Sequence, residues 1–92
     1  MEKLQQLTLM DKIIRELEDL KNSQTAVLKK VTQIEADNIT HSFKLLDQHL
    51  PDLHEEVNSS VETITELQTA FEAEREEFFT KNNLAAQLDP TV

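Results

Sequence analysis

Residues 31–43 read Val31-Thr32-Gln33-Ile34-Glu35-Ala36-Asp37-Asn38-Ile39-Thr40-His41-Ser42-Phe43, and the spacing of apolar side chains changes phase within them. Upstream, Met10, Ile13, Leu17, Leu20, Gln24, Val27, Val31 and Ile34 step alternately by three and four, apolar at seven of eight positions. That is the a/d stripe of a heptad repeat. Downstream, Ile39, Phe43, Leu46, Leu50, Leu53, Val57, Ser60, Ile64, Leu67, Phe71, Glu74 and Phe78 form a second series, apolar at ten of twelve. Ile34 and Ile39 both take d in their own series, yet they stand five residues apart instead of seven. One continuous supercoil absorbs such a slip only by local over- or underwinding. Glu35-Ala36-Asp37-Asn38 contains two good N-cap residues, so a short break at 35–39 fits the spacing.

The chain has no glycine, and its two prolines are Pro51 and Pro90. Glycine supplies the positive φ that tight turns and helix C-caps usually need, so a chain without it reads as long helix. Pro51 is a second place for a bend, because it lacks an N–H and its ring crowds the carbonyl of Asp47. It takes a water-facing b position in the second series, which also permits a continuous helix. Alternatively, Pro51 with Asp52, Glu55 and Glu56 resembles the first turn of a new helix, proline at N1 and acids at the positive dipole end. Leu50 is a poor cap for that reading. The expected organisation is a charge-balanced helix over 3–48, an acidic helix over 51–83 and a frayed tail over 84–92.

Leu7, Ile14 and Leu28 fall at e in the first series and widen its stripe beyond a strict two-stranded seam. Gln24 is a polar interruption at a, of the kind that fixes register or oligomer number. The two series offer seventeen apolar a/d side chains, each worth about 1.5–3 kcal/mol when fully buried. A lone helix buries almost none of that area and is marginal in water. The chain must fold back on itself or associate, and a hairpin reversing at Pro51 would still expose much of its stripe. The expected fold is therefore all-α: long amphipathic helices forming a coiled coil or a helical hairpin, self-associating as a dimer or trimer. Ile13, Leu17, Leu20, Val27, Val31, Ile34, Phe43, Leu46, Leu50, Leu53, Val57, Ile64, Leu67 and Phe71 are the expected assembly residues.

The net charge of −9 is uneven. Residues 1–46 carry seven basic and seven acidic side chains, whereas residues 47–92 carry two basic and eleven acidic. Direct nucleic-acid binding needs basic charge, so it is disfavoured, and so is an anionic membrane surface. A partner selected by charge would be a basic protein. The run Phe71-Glu72-Ala73-Glu74-Arg75-Glu76-Glu77-Phe78-Phe79 supplies the candidate contacts for it: Glu72, Glu74, Glu76, Glu77 and Phe79. Phe71 and Phe78 read as ordinary a-position core, while Phe79 at b does not fit the core and is the expected exposed contact. No apolar run approaches the roughly 20 residues that cross a bilayer. The N-terminal residues lack the build of a signal peptide, so a cytoplasmic location is expected.

Chemistry-bearing patterns are sparse. There is no cysteine, no glycine-rich phosphate loop and no nucleophile elbow. His41, His49 and His54 are separated by eight and five residues, which is not the three- or four-residue step that pairs metal ligands on a helix. No catalytic, cofactor or metal residue is expected, and the reading is non-enzymatic. In the first register Asn38 takes a and His41 takes d, and both are expected to rotate outward because unpaired buried polar groups are costly.

Met10-Asp11-Lys12-Ile13-Ile14-Arg15-Glu16-Leu17-Glu18-Asp19-Leu20, followed by Val31-Thr32-Gln33-Ile34-Glu35, resembles small coiled-coil proteins of unassigned function from Gram-positive bacteria and their phages. The resemblance implies a phage- or mobile-element-encoded helical protein and carries no catalytic residues. Two functional readings follow from the sequence. The first is an oligomerising protein that acts by protein–protein contact. The second is an acidic inhibitor or DNA mimic, offering residues 47–79 to the basic surface of a nucleic-acid-handling or defence protein.

Overall fold

The computed structural model describes residues 2–88. Two helices of 38 residues each, α1 (Glu2–Ile39) and α2 (Lys44–Lys81), pack antiparallel as a hairpin, and a short α3 (Leu84–Leu88) follows. A 38-residue helix is about 57 Å long at 1.5 Å per residue, which accounts for an envelope of 68 × 18 × 17 Å. The all-α helical-hairpin expectation is met.

The reversal lies within the 35–51 interval that the phase slip and Pro51 bracket, but at neither 35–39 nor Pro51 itself. The chain turns at Thr40–Phe43, just beyond the phase slip and before Pro51. Glu35-Ala36-Asp37-Asn38 forms the last turn of α1 and does not cap a new helix. Pro51 lies inside α2, exposed, and the helix runs through it. The helical spans are thus 2–39 and 44–81, where 3–48 and 51–83 were expected. The slip marks the change from one helix to the other, and the second series starts in earnest at Leu46. Ile39 belongs to α1 and is 80% exposed; Phe43 is the N-cap residue of α2 and is 60% exposed.

A clasp of side chains replaces the missing glycine. Ser42 takes the left-handed conformation at φ 51°, which costs a residue with a Cβ about 1–2 kcal/mol. Its N–H donates to the Asn38 carbonyl at 2.6 Å, and its hydroxyl donates to Asp47 Oδ2 at 2.7 Å. Asn38 Nδ2 donates to Asp47 Oδ1 at 2.7 Å, and the Phe43 N–H donates to Asn38 Oδ1 at 2.9 Å. Asp47 sits in the first turn of α2, where its charge also meets the positive end of the helix dipole. Asn38 is therefore buried, not rotated outward, because its amide is bonded at both ends and the penalty for burying it disappears. His41 does turn outward, with its ring 5.9 Å from that of Phe43.

At the open end, Asn83 takes a second positive φ of 52°, and its N–H donates to the Thr80 carbonyl. Asn82 donates both its backbone N–H and its side-chain Nδ2 to the Phe78 carbonyl. The chain then re-enters helix, and Leu84 is fully buried. Within the segment expected as a frayed tail, residues 84–88 are helical and start from that buried leucine; residues 89–92 lie outside the described residues.

Candidate functional site

Each helix meets the other through its a and e positions, leaving d to one side. In α1, Leu7 at e and Met10, Val31 and Asn38 at a are buried, with Ile14, Leu17, Gln24 and Leu28 half-buried between them. In α2, Leu50, Val57 and Ile64 at a are buried, and Phe71, Phe78 and the e-position Val61 are half-buried. The d positions Leu20, Val27, Ile34, Leu53 and Leu67 remain 40–52% exposed. At 100° per residue, d points about 80° away from the middle of an a/e face, so a single partner helix cannot cover it.

The cross-helix hydrogen bonds fix the register. His54 Nδ1 donates to Glu35 Oε1 at 2.9 Å, Gln68 Nε2 to Glu18 Oε2 at 2.7 Å, and Arg75 Nε to Asp11 Oδ1 at 2.8 Å. The partner numbers add to 89, 86 and 86. All three bonds join b or e positions, so the b/e edges of the two helices share one flank. Antiparallel helices present equivalent edges on the same side, which puts both d columns together on the opposite flank. The register then sets Leu20 level with Leu67, Val27 with Ser60, and Ile34 with Leu53. One face of the hairpin carries three layers of d residues, five of the six side chains apolar and exposed.

The polar flank is knit together around Arg75. The hydrogen bond that Arg75 donates to Asp11 raises the guanidinium pKa above its ordinary value, against the opposing effect of burial, and the bond to Glu76 adds to it. Arg75 also lies over the Phe79 ring, 5.1 Å from its centre. Phe79 is half-buried there, where a fully exposed aromatic was expected. Glu72, Glu74, Glu76 and Glu77 are exposed, but Glu76 already accepts from Arg75 Nη1 at 2.8 Å.

Among the expected assembly residues the structure makes a division. Leu17, Val31, Leu50, Val57, Ile64 and Phe71 pack within the hairpin; Leu20, Val27, Ile34, Leu53 and Leu67 form the uncovered face. Ile13 and Leu46 are half-buried at its two ends, and Phe43 stands apart in the turn. The clasp and the Leu84 anchor were missed by sequence reasoning. The e-position leucines were the signal that the helices would meet through a and e.

A shallow groove beside the turn is lined by Glu35, Asn38, Leu46, Asp47 and Pro51 among others. Its carboxylates are already engaged, Glu35 by His54 and Asp47 by Asn38 and Ser42. Among the described residues, no three His, Cys, Asp or Glu side chains gather as a metal site, and no helix is long and apolar enough to cross a membrane. Comparison with protein-family models, with curated proteins and with solved structures returns no match.

Proposed function

We propose that this protein is a non-enzymatic, self-associating helical hairpin that acts by protein–protein contact. The uncovered d face carries the reading: Leu20, Val27 and Ile34 of α1 beside Leu53 and Leu67 of α2. Scattered exposed leucines are ordinary on a protein surface, but an aligned strip at heptad spacing on both helices is an assembly pattern. Light scattering and native mass spectrometry test it. The protein is expected at a multiple of its 10.6 kDa mass, and Leu20→Asp or Leu53→Asp is expected to return it to the monomer. Because both side chains lie outside the a/e core, circular dichroism should show the hairpin still helical. Unchanged mass in both variants would sink the proposal.

The acidic-mimic reading is favoured by a separate observation. Asp52, Glu55, Glu56, Glu62 and Glu66 are all exposed along the outside of α2. Salt separates the two: binding of a basic partner collapses as ionic strength rises, while apolar association persists or strengthens.

A further inference from the structure

We infer that the d face is covered by a second copy of this chain lying with its turn at the same end, so that α1 of each hairpin covers α2 of the other in an antiparallel four-helix bundle. The inference rests on the self-association proposed above and adds the partner's orientation.

Two face-to-face arrangements have two-fold symmetry. With the axis along the hairpin, the turns lie together and each α1 stacks on the other subunit's α2. With the axis across the hairpin, through the Val27 and Ser60 layer, the turns point apart and like helices stack on each other. Both arrangements bury the same strip, so apolar area does not choose between them. Charge does.

Residues 2–39 carry six basic and seven acidic side chains, whereas residues 44–81 carry three basic and ten acidic. Stacking α2 on α2 concentrates the acids, and stacking α1 on α2 spreads them. The g positions that border the d face make the same choice in detail, because g–g pairs flank the seam between antiparallel helices. With the turns together, the register sets Lys30 level with Glu56 of the partner subunit and Asp37 level with His49 of the partner subunit. Ser23 then meets Thr63 of the partner subunit, without conflict. With the turns apart, Asp37 meets Glu16 of the partner subunit, a like-charge pair, and Lys30 meets only Ser23 of the partner subunit. Lys30, Asp37, His49 and Glu56 are all exposed in the single hairpin, so nothing needs to be uncovered for these pairs to form.

Spin labels and charge exchange test the orientation. The chain has no cysteine, so Thr40→Cys places one label per subunit in the exposed turn. With turns together, helices 8–10 Å apart hold the two labels within about 25 Å. With turns apart, the rise from Val27 to Thr40 counted twice separates them by about 40 Å. Lys30→Glu is expected to weaken the dimer roughly tenfold, two symmetry-related pairs being lost. Glu56→Lys should weaken it similarly, and the double exchange should restore it. A dimer with the long label distance and no rescue overturns this arrangement and leaves self-association standing. A monomer at the highest soluble concentration overturns both.

Discussion

The two flanks of the hairpin are made of the same helices and do opposite things. On the b/e flank, Asp11–Arg75, Glu18–Gln68 and Glu35–His54 tie α1 to α2 at three heights. On the d flank, leucine, valine and isoleucine side chains stand open between the turn and the Leu20–Leu67 layer. The polar bonds are partly exposed and contribute little energy each, but they are directional, and a slip by one heptad would unmake all of them. The open flank has area without direction. Register is therefore held on one side, and the capacity to associate is held on the other.

The largest way to break this contrast is to strike the core that both flanks share. Val57→Asp puts a carboxylate into the buried a column, with an expected loss of more than about 4 kcal/mol. Thermal melting by circular dichroism should show the cooperative hairpin gone, whereas Leu53→Asp, four residues earlier, changes mass and keeps the helix. Equal melts for the two would mean that a and d are not distinct faces. Asn38→Ala comes next. It leaves the Phe43 N–H and Asp47 Oδ1 without their partner, and should lower stability by about 1–3 kcal/mol in urea titration. No change in the urea midpoint would show that the clasp is ornamental. The smallest effect belongs to the polar flank. Arg75→Ala removes the bonds to Asp11 and Glu76 and the contact with Phe79, yet should cost only about 1 kcal/mol, less in high salt. A much larger loss would mean that the polar flank holds the helices together as well as aligned.

The heptads, the slip and the all-helical character were legible because periodicity is written in local sequence. The site of reversal was not. A turn is usually announced by glycine or proline, and here Ser42 adopts the positive φ with an aspartate five residues on and an asparagine nine residues before that aspartate holding it. Such a network has no period. Pro51 misled in the other direction, since a proline at an exposed b position removes one helical hydrogen bond whose orphaned carbonyl water can reach. The candidate face was half legible: Leu20, Val27, Ile34, Leu53 and Leu67 stood out as a stripe, with Leu7, Ile14 and Leu28 beside them. Which column would be covered depended on where the chain reversed.

The clasp also orders the chain in time. Asn38 and Asp47 close a loop of nine residues, while Glu35–His54, Glu18–Gln68 and Asp11–Arg75 span 19, 50 and 64. Loop-closure entropy rises with length, so the shortest loop closes at least cost. With the clasp shut, each later pair joins helices already held side by side, and zippering runs from the turn toward Leu84. The open end is then the last part to be secured and the first to fray.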